Sequence, residues 1–281
     1  MDARVRPARQ SDKKPLMSFI KDVWGGHDYI PYVWDWWMKD PNGKMFVVEV
    51  DGVPVGMNRV RFLEDGSAWF EGVRVHPDFR GRGLATMLGE NSMKVAKEMG
   101  IGVFRLVSGS RNYLAHRQIA RIRFEEISRF SVYEPPKGRR RGRKVARRAK
   151  SEDAPAVISL IERSKEYRTG GGFFFHGYTA ASLNPEVIRK LVSEGAIWRF
   201  GEAVAVTREY GERWTWEEIC FVGGPAEDAL ELIDSVLGWS RRAKVRWVFV
   251  PQGSPIIHGL RARGFRRNYS GVLFERLAAK G

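Results

Sequence analysis

The stretch Val75-His-Pro-Asp-Phe-Arg-Gly-Arg-Gly-Leu-Ala-Thr-Met-Leu88 carries an apolar run through a turn of arginine and glycine into an amphipathic run. Gly81 and Gly83 leave backbone N–H groups uncovered and free to adopt left-handed dihedrals, and a helix starting near Leu84 aims its positive end at the turn. Leu84, Ala85 and Thr86 supply the first amides of that helix, and Arg80 and Arg82 add fixed charge. Those groups together suit a diphosphate. The turn is neither a Walker loop, which ends in Gly-Lys-Ser/Thr, nor a dinucleotide fingerprint with glycine at three set places.

The elements that must position this turn are legible on both sides of it. Lys44 to Glu49 predicts a strand, Asp51-Gly52 a turn, Val53 to Phe62 a second strand, Asp65-Gly66 another turn, and Ser67 to Val75 a third strand. The spacing of Leu84, Met87, Leu88, Met93, Val95, Ala96 and Met99 predicts a helix ending at Gly100. Val103 to Val107 reads as a strand, Asn112 to Phe124 as a helix, and Phe130 to Tyr133 as a final strand.

A chain of 281 residues, 43% hydrophobic, is long enough for two domains with separate cores. Pro135-Pro-Lys-Gly-Arg-Arg-Arg-Gly-Arg-Lys144 repels itself and reads as a solvated linker, which leaves residues 1–134 and 145–281 as the expected domains. Beyond the linker the chain starts again. Arg6-Pro-Ala-Arg-Gln-Ser-Asp12 and Arg147-Arg-Ala-Lys-Ser-Glu-Asp153 both open with a basic strand and an acidic helix cap. Val48 to Gly56 finds a partner in Ile197 to Ala205, and Ile122-Arg-Phe124 in Ala262-Arg-Gly-Phe265. Where the first half has its basic turn, the second has Gly223-Gly-Pro-Ala-Glu-Asp228 after the apolar strand Ile219 to Val222. Glu227 and Asp228 repel a diphosphate, so the second half is expected to be a degenerate, non-catalytic copy that builds a lobe or shapes the first half's pocket.

The formal net charge of +15 comes partly from the linker and partly from scattered helical lysines and arginines. No helix-turn-helix pattern, zinc-finger spacing or aromatic RNA-binding strand motif is present, so contact with nucleic acid is expected only through the basic linker. With Cys220 as the single cysteine, neither a disulfide framework nor a Cys/His metal cluster can form, which fits a reducing, cytoplasmic setting; Cys220 itself reads as a buried structural thiol. No signal peptide is apparent, and no apolar run approaches the roughly 20 residues of a membrane span. Few cysteines and 29% charged residues lean toward a thermophile.

The spacing Arg80-x-x-Gly83-x-Ala85, after a strand ending Val-x-Pro, resembles motif A of the GNAT superfamily of acetyl-CoA-dependent N-acetyltransferases, and the elements of residues 1–134 follow that family's order. The resemblance implies an α+β fold of two tandem GNAT-like domains, each a mixed, mostly antiparallel sheet flanked by helices, with acetyl-CoA as cofactor. It also implies that backbone groups of Val73, Arg74 and Val75 hold the acyl carbonyl and pantetheine arm. Acyl transfer from a thioester needs a group to deprotonate the attacking ammonium and one to reprotonate the thiolate. Glu71, two residues before Val73, is the first choice of base; the competing reading pairs it with a cross-strand Arg59 or Arg61. The family commonly supplies its acid in a pattern like N-x-x-A-x-x-x-Y-x-x-x-G-F. Asn112 to Phe124 keeps the Asn, Ala and Phe but has Ile119 at the Tyr position and Arg123 at the Gly position, leaving water, His116 or Tyr113 for that task. Asn112 caps the helix and is expected to touch the pantetheine arm.

The acceptor pocket is expected in Trp24-Gly-Gly-His-Asp-Tyr-Ile-Pro-Tyr-Val-Trp-Asp-Trp-Trp37, where carboxylates interleave with aromatics as in a site for an ammonium ligand. Trp34 and Trp37 are assigned to the core and His27, Asp28 and Tyr29 to the pocket. Gly26-x-Asp28-Tyr29-Ile30-Pro31, with Asp40-Pro41 and Glu71-Gly-Val-Arg-Val-x-Pro77, is similar to a GNAT branch that contains histidine N-acetyltransferases. The leading functional expectation is acetyl transfer to a primary amine of a small molecule such as an amino acid. A protein or peptide acetyltransferase, an acyl-CoA-binding module without turnover, and a nucleic-acid-directed acetyltransferase are the alternatives.

Overall fold

A computed structural model describes residues 2–138, 143–210, 215–237 and 243–278; residues 139–142 of the expected linker lie outside the described residues. The first half runs β1 (Ala3–Pro7), α1 (Lys13–Ile20), α2 (Ile30–Trp37), β2 (Gly43–Val50), β3 (Val53–Phe62), β4 (Ala68–Val75), α3 (Leu84–Glu98), β5 (Val103–Gly109), α4 (Tyr113–Arg121) and β6 (Glu125–Glu134). The second continues with β7 (Arg147–Arg148), α5 (Ala154–Arg163), α6 (Lys165–Thr169), β8 (Phe173–His176), β9 (Thr179–Ser182), α7 (Pro185–Ser193), β10 (Ile197–Phe200), β11 (Ala203–Tyr210), β12 (Thr215–Gly223), α8 (Ala226–Val236), β13 (Ala243–Pro251), α9 (Ile256–Ala262) and β14 (Arg266–Leu277). Compactness groups Met1–Leu106, Leu114–Glu125 and Glu275–Gly281 into one unit, and Val107–Tyr113 with Glu126–Phe274 into another.

In the first unit β1, β2, β3 and β4 pair antiparallel in that order and β4 pairs parallel with β5, a mixed and mostly antiparallel sheet. Asp51 and Gly52 both take positive φ, 49° and 81°, the tight hairpin geometry whose twist matches the flanking strands. Leu16, Phe19, Ile20, Ile30, Trp34 and Trp37 pack α1 and α2 against Met45, Val47 and Met57. Trp34 and Trp37 are thus core, as read from the sequence. On α3 the buried stripe Leu84, Leu88, Ser92, Met93 and Ala96 sits at helical spacing. Asn58 on β3 fixes this helix in register, its amide donating to the Leu88 carbonyl at 3.1 Å and to Ser92 Oγ at 2.8 Å.

The second unit repeats the plan: β7, β10, β11 and β12 are antiparallel, β12 and β13 parallel, and β13 antiparallel to β6, which neighbours β14. Strand β6 is longer than the expected Phe130 to Tyr133, because Glu125, Glu126 and Arg129 are charged and exposed and an apolar run does not reach across them. The repeat extends to individual atoms. Arg6 grips Asp12 through two bonds of 2.8 Å, and Asp12 accepts the Arg9 amide at 2.7 Å. Arg147 grips Asp153 at 2.8 and 3.1 Å, and Asp153 accepts the Lys150 amide at 2.9 Å.

Candidate functional site

Strand β4 delivers the basic turn, and a bulge aims it. Met57 faces Arg74 and Arg59 faces Glu71, so β4 carries one residue more than β3 across this interval, at Gly72 and Val73. Gly72 takes φ +69°, and a Cβ there would lie 2.8 Å from the Trp37 ring and 3.2 Å from Ile30. Glycine is required by conformation and by space at once. Among the described residues the β4–β5 ladder holds only two pairs, Ala68 with Phe104 and Trp69 with Arg105. Beyond them β4 runs on through the bulge with Val73 exposed and its carbonyl accepting from Arg74 Nη1 at 2.9 Å.

The chain then passes His76 and one tight turn, Pro77–Phe79, to reach Arg80. Gly81 and Gly83 hold φ of +76° and +78°, and a Cβ on either would meet nothing within 4 Å, so backbone conformation rather than crowding selects glycine. The first helical bond of α3 runs from the Met87 amide to the Gly83 carbonyl at 3.0 Å; the amides of Gly83, Leu84, Ala85 and Thr86 precede it and are the unsatisfied donors of the helix start. Both guanidinium groups dock on the turn itself. Arg80 Nε donates to the Val75 carbonyl at 3.2 Å, and Arg82 donates to the Asp78 carbonyl at 3.1 Å while covering the Phe79 ring. The amides of a helix start, two left-handed glycines and two anchored cations match the needs of a diphosphate.

Beside the bulge lies a polar and aromatic cluster. Glu71 pairs with Arg59, its cross-strand neighbour, and Arg59 also pairs with Asp40. The Arg59 side chain is 0% exposed and lies against Trp36 and Trp37, with ring centroids 5.3 and 4.9 Å from its Cζ. Asp28 is buried, accepting from Arg74 Nε at 2.6 Å and Nη2 at 3.2 Å and from the Ile30 amide at 2.9 Å. Its carboxylate is therefore committed to joining the start of α2 to β4 instead of standing open to an ammonium. Tyr29 lies under Arg74 and edge-on to Trp37, and His27 is exposed.

The structure thus gathers Glu71, Arg74, Asp28 and Tyr29 around the bulge, with Val73 on it and Val75 leading into the turn of Arg80 to Thr86. His116 is half-buried on α4, three residues before the buried Ile119. Arg123 takes φ +59°, the left-handed role of the glycine it replaces, and Phe124 packs on Phe70. Asn112, whose amide donates to the Gly109 carbonyl at 2.9 Å, and Tyr113 belong to the second unit. The bulge and the buried Arg59 are what the sequence reading left out; an isolated glycine inside a strand pattern was the available signal for Gly72.

The corresponding turn of the second unit is filled by the chain itself. Gly224, at φ +132°, donates its amide to the Glu166 carboxylate at 3.4 Å, and Glu166, fully buried, also accepts from Ser254 Oγ at 2.9 Å. Asp228 accepts the Glu202 amide at 2.9 Å, and Pro225 has no amide to offer. Burial pushes the Cys220 thiol well above its ordinary pKa, consistent with a structural role.

Residues 12–121 match the model of the acetyltransferase (GNAT) family. A histidine N-acetyltransferase of Oreochromis niloticus is 32% identical over 82 residues, 29% of this chain and 24% of that protein. An uncharacterized N-acetyltransferase of Methanocaldococcus jannaschii is 32% identical over 119 residues, 40% of this chain and 53% of that one. The chain spans about a quarter of the length of the histidine N-acetyltransferases it matches. Among solved structures, a GCN5-related N-acetyltransferase of Sphaerobacter thermophilus superposes over 99% of this chain and 96% of its own, with a TM-score of 0.61 and 17% identity. A putative acetyltransferase of Thermoplasma acidophilum covers 98% of this chain and 99% of its own, with a TM-score of 0.58 and 19% identity. At such identities the likeness is one of fold.

Proposed function

We propose that this chain, whose residues 12–121 match the model of the acetyltransferase (GNAT) family, transfers acetyl from acetyl-CoA to a primary amine of a small molecule such as an amino acid. The observation that carries the reading is the Arg80–Thr86 turn, set at the end of a bulged strand that has parted from its neighbour. The amides of Gly81 to Thr86, with Arg80 and Arg82, hold the diphosphate of the coenzyme; backbone groups of Val73, Arg74 and Val75 orient the acyl arm. Bound there, acetyl-CoA supplies an activated thioester. Glu71 takes the proton from the attacking ammonium, directly or through one water. Because Ile119 occupies the place of the usual tyrosine, the proton returned to the sulfur comes from His116 or from solvent.

Similarity to histidine N-acetyltransferases over part of the first half supports a free amino acid as acceptor. Asp28 serves that acceptor indirectly, by fixing Arg74 and the start of α2, while Tyr29 and His27 line its approach. A peptide acceptor is the second reading, favoured by the open aromatic face of α2, where Tyr32 is 85% and Trp36 56% exposed. Release of free CoA thiol from acetyl-CoA, screened over amino acids, polyamines and peptides, tests the proposal. Turnover with an amino acid that is lost in Glu71→Gln is the expected result; acetyl-CoA binding without turnover on any acceptor would leave only a binding module.

A further inference from the structure

Arg59 is a costly residue in its position. A guanidinium with 0% exposure has given up its hydration, and burial pulls its pKa below the ordinary arginine value against the opposing pull of Glu71 and Asp40. Its Nε is buried with no hydrogen-bond partner. An apolar side chain of similar volume beside Trp36 and Trp37 would hold the fold at least as well, since buried ion pairs are commonly no more stabilising than packed hydrocarbon. The surroundings are nevertheless shaped for a guanidinium. A Cβ at Gly43 would lie 2.5 Å from Nη2, 2.8 Å from Nε and 2.9 Å from Cζ, so glycine is what leaves the group its room. The Trp36 and Trp37 rings both lie within cation–π range of it, and Asp40 takes one Nη nitrogen while Glu71 takes the other. A planar fork that is fully buried, packed near two aromatic rings and held at one arm by Asp40 has its remaining arm aimed in a fixed direction.

That arm ends on Glu71, at the edge of the bulge. We infer that Arg59 is a positioning residue, which through Trp36, Trp37 and Asp40 locks the Glu71 carboxylate in the orientation from which it meets the acceptor amine. The inference rests on Glu71 as the base. The same grip makes the end of α2 and the loop holding Asp40 part of the apparatus that aims the base. A lysine cannot reproduce it, because a point charge on a flexible stem keeps the attraction and loses the fork. Misplacement of a reacting group by about 1 Å costs on the order of 100-fold in rate.

The test separates positioning from folding and from coenzyme binding. In Arg59→Met, kcat is expected to fall at least 100-fold while KM for acetyl-CoA and circular dichroism stay at wild-type values, and added guanidinium ion restores part of the rate. Arg59→Lys is expected to keep the charge and recover no more than a tenth of wild-type kcat. Gly43→Ala, which retains every charged group and only crowds the guanidinium, is expected to lower kcat about 10-fold and remains informative if Arg59→Met does not fold. Full kcat in folded Arg59→Met or in Gly43→Ala, or a loss carried by KM for acetyl-CoA and insensitive to guanidinium, overturns the inference. Glu71→Gln separates the two claims: if it keeps wild-type kcat, the assignment of the base fails, whereas an inactive Glu71→Gln beside a fully active Arg59→Met removes only the role of Arg59.

Discussion

Arg6 with Asp12 and Arg147 with Asp153 open the two units with the same six-residue spacing and the same bond to a main-chain amide three residues before the aspartate. At the end of the fourth strand of each unit the likeness stops. The first unit presents Arg80-Gly-Arg-Gly83 with both glycines left-handed and no neighbour within 4 Å of their missing Cβ atoms. In the second, a Cβ on Gly224 would lie 2.7 Å from the Glu202 carbonyl oxygen and 2.8 Å from Ala203, and Glu166 and Asp228 already occupy the donors around the turn. One scaffold therefore carries an open cradle and a closed one. On the proposed reading, strand, turn and helix alone do not suffice for an anion site, which also needs free amides and a positive surround.

The carboxylates on the fourth strands differ in the same sense. Glu71 faces Arg59 across the ladder and keeps some exposure, while Glu218, which faces Arg208 across its own ladder, is fully buried and accepts the Gly177 amide of the β8–β9 turn at 2.9 Å. A base must reach its substrate, which the full burial of Glu218 prevents and the partial exposure of Glu71 allows.

The strongest way to break this contrast is Gly83→Val. A β-branched residue at φ +78° is strained by about 1–2 kcal/mol, and its side chain screens the amides it borders, so acetyl-CoA affinity measured by calorimetry is expected to fall more than about 100-fold with the fold intact. Arg82→Glu reverses one charge of the exposed turn; the Kd is expected to rise about 10-fold at low salt, and by less near 1 M salt, where the Debye length is about 3 Å. Glu166→Gln sharpens the contrast from the other side. Weakening the internal anion is expected to cost about 1–3 kcal/mol in a denaturant titration, yet to leave the acetyl-CoA stoichiometry unchanged, because Pro225, Glu227 and Asp228 still close the turn.

The smallest effect tests what the units share. At Asp12 burial works to raise the pKa, but the bonds from Arg6 and the Arg9 amide outweigh it and hold the pKa below the ordinary value; at Asp153 Arg147 and the Lys150 amide do the same. A carboxylate whose folded pKa is depressed contributes stability that is complete above its unfolded pKa, near 3.9, and is lost as pH falls through the folded value. The melting temperature should therefore drop as pH falls below about 4, and Asp12→Asn with Asp153→Asn should flatten that slope.

Much of this was legible in the residues. The hairpin at Asp51-Gly52, strand β3 and the Arg80–Leu84 turn fall where the sequence puts them, because each is fixed by local chemistry: glycine at positive φ, a strand segment bounded by two turn signals, an amphipathic helix with glycine at its ends. The fate of Asp28 was not legible, because an aspartate among aromatics reads alike whether it meets a ligand or an arginine 46 residues away. Arg59 was legible only as a cross-strand partner; its approach to two tryptophans depends on how α2 lies on the sheet, which no local pattern states. The filling of the second turn by Glu166 escaped for the same reason, since that residue is 58 positions from the amide it meets.

Titration of the full chain with acetyl-CoA by calorimetry, for wild type and Gly83→Val in parallel, tests the contrast most directly. One equivalent bound by wild type and none by Gly83→Val is the predicted result. A second equivalent in wild type, or binding indifferent to Gly83, would contradict the assignment of the coenzyme to the open cradle alone.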